Sequence, residues 1–306
     1  MRILITERET LPHDFEGRLK LSGLSADVLT SIEELDHPER YEVAFGALIV
    51  KKRGLEAFPN LKWIHITTAG VNHLPIEEWK AKGILLTNAK HVFSDPIAEY
   101  AVFYTLMHYK HGLEHIHLQE RKEFRRLNNR ELTDQVVTIF GTGSLAEATA
   151  QRFKPFHVKL IGINTSGKAH PDFDSVFPIT EGKAVLAKSD VVIMTLPLTP
   201  ATKYFFDDSW FEAMKPGSIL INVGRGRILD EQALIRHLES HHLAMAVLDV
   251  METEPLDPHH PLWTTENCWI TPHDSGVSEQ TGQRLWELFL RNLKAYNEHR
   301  ELENRV

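Results

Sequence analysis

Cysteine is nearly absent from this chain of 306 residues, which contains only Cys268 and so can form no internal disulfide. That scarcity fits a reducing compartment. The chain starts with the strand-like segment Arg2–Thr6, without the pattern of a signal peptide, and no apolar run approaches the ~20 residues that cross a bilayer. These absences predict a cytoplasmic protein with no membrane partner.

Positive charge is also in short supply. The 34 Lys and Arg residues are outnumbered by 42 Asp and Glu residues, which gives a formal net charge of −8. Nucleic acids require a concentrated Lys/Arg face, and the basic cluster at 51–53 is only three residues long. We therefore predict no nucleic-acid partner. Hydrophobic residues make up 42% and charged residues 25%, which is typical of globular proteins, and the length allows two domains.

Short apolar runs alternate with helix-like segments, which is the pattern of a parallel α/β sheet. Several runs are apolar almost throughout, as strands buried on both faces must be. A first series of predicted strands is Arg2–Thr6, Val43–Val50, Trp63–Thr67 and Ile84–Thr87. A second series is Val136–Phe140, Val158–Asn164, Val191–Leu196, Ser218–Val223, Met245–Val250 and Trp269–Thr271. One long helix is predicted between the series, from Pro96 to Phe124. An amphipathic helix is predicted near the end, with an apolar face formed by Leu285, Leu288, Phe289 and Leu293.

A glycine turn follows the predicted strand Val136–Phe140. Gly141 permits a tight turn, and Gly143 lets the backbone approach a pyrophosphate. The phosphates would then contact N–H groups at the start of a helix that begins near Ser144 and Leu145. Alone, such a turn also fits a purely structural bend or the adenosyl site of a methyltransferase.

Three further segments follow predicted strands, namely Asn222–Gly226, Leu248–Pro255 and Thr271–His273. Open α/β sheets bind ligands beyond the carboxyl ends of their strands, so we expect these segments at the same edge as the glycine turn. Reducing a 2-oxo acid needs a cation that holds the carboxylate, and Arg225 offers a planar fork for it. The reaction also needs a proton donor, which His273 can be, with Glu254 holding the ring and favouring its charged form.

Taken together, these motifs resemble the D-isomer-specific 2-hydroxyacid dehydrogenases over nearly the whole length. The motifs that carry the resemblance are Gly141–Ala146, Asp190–Thr199, Asn222–Gly226, Leu248–Pro255, Thr271–His273 and the substrate-carboxylate loop Thr68–His73. The resemblance implies Arg225 as the substrate-binding arginine, His273 as acid/base and Glu254 as its partner. It implies that backbone N–H groups at Ala69, Gly70 and Val71 bind the substrate carboxylate. The cofactor contacts predicted outside the glycine turn include Leu196, Pro197, Val223, Gly224, Asp249 and Gly276, with Asp249 near the nicotinamide carboxamide.

The fold implied by the resemblance is a pair of Rossmann-like α/β domains with doubly wound parallel sheets. Residues 97–271 would bind the dinucleotide, residues 1–96 plus 272–306 would form a discontinuous substrate domain, and the cleft between them would hold the chemistry. The resemblance also implies a homodimer built on the nucleotide-binding domains. Leu61–Ile64 leading into Ala69–Val71 looks most like the glyoxylate/hydroxypyruvate reductases of the family, although Asn72 stands where the family often has an acid.

The choice between the two cofactors depends on the end of the predicted strand Val158–Asn164. NAD-selective sites place an Asp or Glu there, about 20 residues beyond the glycine turn, to bind the ribose 2′-OH. This chain has instead an amide, two hydroxyls and a cation, and no acid before Asp172. We expect the side chains of this segment to bind a 2′-phosphate: Asn164, Thr165, Ser166 and Lys168. The prediction is that NADP is preferred, with NAD possible.

Alternatives to a reductase of small 2-oxo acids stay open at this point. A cofactor-sensing interaction protein of the same family could keep Arg225, Glu254 and His273, although the length offers no extensions for partner motifs. A phosphoglycerate dehydrogenase-like enzyme is a rival within the enzyme class. A formate dehydrogenase is disfavoured because it would call for an amide at position 254. We predict no metal site, since His108, His111 and His115 fit a solvated helix face.

Overall fold

The computed structural model describes residues 1–21 and 23–306. The chain divides into two compact units, one formed by residues 1–93 and 277–306 (unit 1) and the other by residues 94–276 (unit 2). The first boundary lies three residues before the predicted one and the second lies five residues after it. Within the described residues, no helix is long and apolar enough to span a membrane.

Unit 1 contains a five-stranded parallel sheet in the order β2-β1-β3-β4-β5. Its strands are β1 (Ile3–Ile5), β2 (Ala26–Val28), β3 (Val43–Phe45), β4 (Trp63–His65) and β5 (Leu85–Thr87). Its helices are α1 (Phe15–Leu21), α2 (Leu48–Arg53), α3 (Ile76–Ala81) and α10 (Thr281–Asn297). Alternate strand residues supply two cores, one shared with Trp286 and Phe289 of α10 and the other with Trp79 of α3.

Unit 2 contains a seven-stranded parallel sheet in the order β12-β11-β10-β9-β6-β7-β8. Its strands are β6 (Val136–Phe140), β7 (Lys159–Asn164), β8 (Ser175–Pro178), β9 (Val191–Met194), β10 (Ile219–Asn222), β11 (Met245–Leu248) and β12 (Cys268–Ile270). Its helices are α4 (Ser94–Tyr109), α5 (Gly112–Glu120), α6 (Ser144–Phe153), α7 (Gly182–Leu186), α8 (Asp208–Glu212) and α9 (Glu231–Glu239). Both faces of the sheet are covered, one by a core that includes Ala101 of α4 and Ala150 of α6, the other by a core that includes Leu234 of α9.

Every predicted strand has a counterpart in these sheets, and the predicted α/β class with two parallel sheets is confirmed. The predicted run Val43–Val50 was too long, because the strand ends at Phe45 and α2 begins at Leu48. The apolar residues after Phe45 are buried from the helix instead, as Ile49 and Val50 show. Periodicity cannot separate a buried strand from a buried helix in so short a run.

The single helix predicted from Pro96 to Phe124 is wrong. The structure has two helices in its place, α4 and α5, which are separated at Lys110 and His111. His111 adopts a left-handed backbone conformation with φ of 50°, which no α-helix interior accommodates. The first part of the prediction is confirmed, since Ala98, Ala101 and Thr105 of α4 are buried. The amphipathic helix near the end is also confirmed, because its four apolar residues are all buried in α10.

Candidate active site at the carboxyl edge of the unit 2 sheet

The loops that follow the strands of unit 2 carry nearly all of the predicted site residues. Because every strand pair of this sheet is parallel, the carboxyl ends of the strands share one edge. The glycine turn follows β6, Asn164 ends β7, and the Leu196–Pro197 segment follows β9. Arg225 follows β10, Asp249 and Glu254 follow β11, and His273 follows β12. The expectation of a common edge is therefore met by the topology.

The two glycines of the glycine turn differ in whether the fold itself requires glycine at that position. Gly141 has φ of 108°, and a Cβ there would lie 2.6 Å from Oγ1 of Thr195, so the fold itself requires glycine. Gly143 is the N-cap of α6, and a Cβ there would meet no atom within 4 Å. The fold thus does not require glycine at 143, whereas a ligand that approaches this backbone would. Ser144 and Leu145 begin α6, so their N–H groups lie in its first turn, where an anion is favoured. These residues fit a dinucleotide pyrophosphate.

The amide nitrogen and the carbonyl oxygen of the Asn164 side chain both form hydrogen bonds that fix the surrounding loop. Its amide donates to Oγ1 of Thr142 in the glycine turn and to the carbonyl of Lys168, both at 3.1 Å. Its carbonyl oxygen accepts from the N–H groups of Ser166 at 3.1 Å and Gly167 at 2.6 Å. Gly167 has φ of 72° and packs against Pro178. Asn164 therefore organises residues 165–168, and the groups left to meet a ligand are those of its neighbours.

Leu196 and Gly224 lie against each other. A Cβ at Gly224 would come within 2.8 Å of the carbonyl oxygen of Leu196, so only glycine lets the loops after β9 and β10 approach this closely. The carbonyl of Pro197 accepts from Oγ1 of Thr202 at 2.6 Å, and Val223 is buried. The predicted cofactor contacts after β9 and β10 are thus brought together on one edge of the sheet.

Arg225 is a half-buried cation without an anionic partner. Its Nη1 donates to the carbonyl of Gly224 at 2.7 Å. No Asp or Glu whose side chain the structure describes forms an ion pair with its guanidinium within 4.0 Å. Burial lowers the pKa of Arg225, and the charge of Glu254 opposes that shift. A guanidinium remains protonated in proteins. The edge therefore holds a partly desolvated positive charge that an anion would stabilise.

Glu254 and His273 form the predicted pair. Nδ1 of His273 lies 2.8 Å from Oε2 of Glu254, while Oε1 of Glu254 accepts from the N–H of Met251 at 3.0 Å. Both side chains remain open to solvent, at 49% for His273 and 35% for Glu254. With Nδ1 engaged by this carboxylate, Nε2 is the ring nitrogen left to give or take a proton. The pair thus has the geometry of an oriented acid/base.

Asp249 is buried and holds the segment that carries His273. Its carboxylate accepts from the hydroxyl of Thr271 at 2.7 Å and from the N–H groups of Asp274 at 3.0 Å and Ser275 at 3.2 Å. The hydroxyl of Ser275 donates to its second oxygen. Gly276 ends unit 2 just beyond these contacts. The contact of Asp249 with a nicotinamide carboxamide stays a prediction, because its oxygens already bind residues 271–275.

The predicted substrate-carboxylate loop lies in unit 1, after β4. Its carbonyls are engaged, since that of Ala69 accepts from Nδ2 of Asn88 at 2.7 Å and that of Gly70 accepts from the hydroxyl of Thr68 at 2.7 Å. The N–H groups of Ala69, Gly70 and Val71 donate no hydrogen bond to any residue that the structure describes. Three consecutive free N–H groups are suited to an anion.

Glu231 and Glu252 lie beside the site without any sequence motif that marks them. Glu231 is only 5% exposed and exchanges hydrogen bonds with Glu252, two residues before Glu254. A glutamate at the start of a helix has an ordinary explanation in the helix dipole, so the sequence offers no signal of this contact.

In the part of the chain that the structure describes, no group of three or more His, Cys, Asp or Glu side chains could hold a metal ion.

A doubly covered parallel sheet with a dinucleotide-type glycine turn, an unpaired Arg and a Glu–His pair at one edge defines a nucleotide-dependent α/β oxidoreductase. The model of the D-isomer specific 2-hydroxyacid dehydrogenase NAD binding domain matches residues 102–275. The chain belongs to this family, whose members are NAD(P)-dependent oxidoreductases of 2-oxo and 2-hydroxy acids.

Relatives of known name match the chain over most of its length. It is 33% identical to the human glyoxylate reductase/hydroxypyruvate reductase, over 96% of this chain and 94% of that protein. A D-isomer specific 2-hydroxyacid dehydrogenase family protein from Aeromonas salmonicida superimposes with a TM-score of 0.86 at 29% identity, covering 100% and 98% of the two chains. A D-isomer specific 2-hydroxyacid dehydrogenase from Xanthobacter autotrophicus, solved with NADPH and MES, gives a TM-score of 0.84 at 25% identity, covering 100% and 97%.

Proposed function

We propose that this protein reduces a small 2-oxo acid of the glyoxylate or hydroxypyruvate class to the 2-hydroxy acid, with NADPH as the preferred reductant. The observation that carries the proposal is the half-buried, unpaired guanidinium of Arg225 beside the Glu254–His273 pair. A substrate carboxylate supplies the missing anion. The human and mouse relatives named for this activity support the choice of substrate class.

The chain's own residues then have separate tasks. Arg225 binds the carboxylate through two parallel hydrogen bonds and polarises the 2-oxo group. The reduced nicotinamide, when bound, supplies the hydride that the carbon accepts. His273 donates a proton from Nε2 to the oxygen that becomes the hydroxyl, and Glu254 stabilises the charged ring before the transfer. In unit 1, the free N–H groups of Ala69, Gly70 and Val71 serve as a carboxylate-binding loop. Unit 2 is the dinucleotide-binding domain and unit 1 the substrate domain in this proposal.

The preference for NADPH rests on the loop after β7. No acid stands at the end of this strand, where an acid would repel a 2′-phosphate. The amide of Asn164 is committed to Thr142 and Lys168, so it shapes the loop and leaves binding to Thr165, Ser166 and Lys168. Two hydroxyls and an ammonium group can bind and partly neutralise a phosphate. The Xanthobacter neighbour, solved with NADPH, supports this choice.

Steady-state kinetics test the proposal. Purified protein is assayed with glyoxylate, hydroxypyruvate and a panel of larger 2-oxo acids, with each reduced cofactor in turn. We expect turnover of the small acids and about tenfold higher kcat/KM with NADPH, which corresponds to ~1.4 kcal/mol. Thr165→Asp should erase or invert the cofactor ratio, while the neutral control Thr165→Asn should keep its direction. Equal efficiencies for the two cofactors in the unmutated protein would reject the NADPH preference.

We further propose that the protein is a cytoplasmic homodimer. The large apolar side chains exposed on unit 2 include Phe103 of α4, Ile116 of α5 and Phe124 just beyond α5. Aromatic side chains such as Phe103 and Phe124 are enriched at protein–protein interfaces. The lone cysteine, whose pKa burial raises to about 12, supports a reducing location. Light scattering at micromolar concentration should give twice the chain mass of 35.1 kDa, and the mass of a single chain would contradict the dimer.

A further inference from the structure

The peptide between Met251 and Glu252 is held from several sides. A Cβ on Gly226 would overlap the carbonyl group of Met251, so the residue next to Arg225 lies directly on this peptide. Nε of Arg227 donates to the carbonyl of the next peptide, that of Glu252, at 3.0 Å. Two residues further on, Glu254 contacts His273. The position of this peptide therefore sets where Arg225 and Glu254 lie relative to each other.

Glu231 binds the same peptide from α9. Its Oε1 accepts from the N–H of Glu252 at 2.7 Å, and its own N–H donates to Oε1 of Glu252 at 3.2 Å. We call these two residues, which exchange N–H and carboxylate groups, the reciprocal pair. Isolated buried carboxylates are costly, and this one sits at a helix start where a solvated position would serve the helix dipole equally well. Its contact with the N–H of the Met251–Glu252 peptide explains its burial better than the helix dipole does.

His260 completes the surroundings of Glu231. Nδ1 of His260 accepts from the N–H of Leu262 at 3.3 Å, so its proton is carried on Nε2, which lies 3.4 Å from Oε2 of Glu231. Burial raises the pKa of Glu231, the N–H of Glu252 opposes that rise, the Glu252 carboxylate adds to it, and His260 opposes it. Asp230, Cys268 and Tyr204 also lie near this carboxylate. Both oxygens of Glu231 thus face defined partners.

We propose that Glu231 is a positioning residue for the acid/base pair, holding the 251–254 segment through the reciprocal pair so that Glu254 meets His273. The proposal rests on the proposed reductase function for its kinetic consequences. It makes Glu231 act through Glu252 and Glu254, without touching substrate or cofactor. A misplacement of Glu254 by a fraction of an ångström would weaken its contact with His273 and slow proton transfer.

The test compares Glu231→Ala with Asp230→Ala in the full chain. Asp230 caps the same helix through the N–H of Ala233 at 3.0 Å and has no hydrogen bond to the 251–254 segment, so its loss destabilises α9 without freeing Glu252. The first readout is amide hydrogen exchange of peptides covering residues 250–256, without any ligand. The second is kcat/KM for glyoxylate reduction with NADPH, measured in each single variant and in the double variant with Glu254→Gln.

We expect Glu231→Ala to speed exchange in this segment and to lower kcat/KM roughly tenfold. Asp230→Ala should lower the thermal midpoint and leave both readouts unchanged. Glu231→Gln keeps an oxygen that accepts from Glu252 and should fall between Glu231→Ala and the unmutated protein. In the double variant with Glu254→Gln, Glu231→Ala should cause no further loss of kcat/KM.

An unchanged kcat/KM in Glu231→Ala, or a loss of kcat/KM that multiplies in full with that of Glu254→Gln, would overturn the positioning role. If Glu231→Ala does not fold, Glu231→Gln is judged by the same criteria. Absence of turnover in the unmutated protein would reject the reductase function, and hydrogen exchange would still decide whether Glu231 holds the 251–254 segment.

Discussion

At the amino end of the seven-stranded sheet in unit 2, carboxylates are paired within the chain, whereas the carboxyl end has a guanidinium that no described carboxylate pairs with. Asp190, which precedes β9, is 2.7 Å from Nζ of Lys215 and accepts from the N–H of Val136 at 2.9 Å. Asp174, which precedes β8, accepts from the N–H of Leu160 at 2.8 Å. Each of these carboxylates is stabilised by groups of the chain itself and requires no ligand.

The carboxyl end of the sheet differs from the amino end in its positive charge and in the open space beside its backbone. Arg225 has no carboxylate partner within the described residues, Gly143 has room that no protein atom fills, and the Glu254–His273 pair is open to solvent. Polar groups that find hydrogen-bond or ion-pair partners within the chain stabilise the fold. Polar groups without such partners, clustered at one edge of the sheet, indicate a ligand-binding site. Three substitutions test this contrast between the two ends.

The largest effect is expected at Arg225. Arg225→Lys keeps the charge but removes the two-point grip on a carboxylate. Since a charge-assisted hydrogen bond contributes ~1.5–3 kcal/mol, kcat/KM for glyoxylate should fall roughly 10- to 100-fold, with a much smaller change in cofactor affinity. Arg236→Lys is the control, because Arg236 is exposed and paired with Asp208 at 2.8 Å. Near-normal efficiency in Arg225→Lys would show that this end of the sheet does not bind the substrate carboxylate.

At the amino end, Asp190→Ala should affect stability and leave catalysis alone. The substitution deprives the N–H of Val136 and the ammonium of Lys215 of their partner. Because Lys215 is 44% exposed, most of the cost comes from the partly buried N–H of Val136, and we expect a loss of about 1–3 kcal/mol in the free energy of unfolding. Urea unfolding measures the loss, with exposed Asp208→Ala as control. A fall in kcat/KM comparable to that of Arg225→Lys would remove the distinction between the two ends.

The smallest effect is expected for Glu254→Gln, which keeps the shape of the side chain and removes its charge. Reduction requires a proton from His273, whose ring Glu254 orients through Nδ1. Glutamine at 254 offers only a weaker, uncharged acceptor, so kcat/KM for glyoxylate should fall roughly tenfold. Steady-state kinetics with NADPH measure the loss. Exposed Glu266→Gln serves as control, and an unchanged kcat/KM in Glu254→Gln would argue against the pairing.

Several features of the site were predictable because they depend on local backbone geometry or strand order. Gly141 needs its positive φ wherever a strand turns sharply into a helix. Arg225, Glu254 and His273 each follow an apolar run, and parallel strands bring such positions to one edge. The edge strands β2 and β8 were missed because they are short and only partly buried, and β8 ends in Pro178, so neither has the apolar run of a central strand.

The sequence by itself determined the parallel α/β architecture, the glycine turn and the residue types at the carboxyl edge, because periodicity and motif order are local properties. Only the tertiary structure decided which polar groups were already satisfied. The sequence predicts that Asn164 contacts a phosphate. In the structure its amide nitrogen donates to the hydroxyl of Thr142 and to the carbonyl of Lys168. Glu231 and Glu252 are separated by 21 residues along the chain, and folding brings them into hydrogen-bond contact. Hydrogen-bond satisfaction depends on contacts between distant residues, and those exist only once the strands and helices have packed.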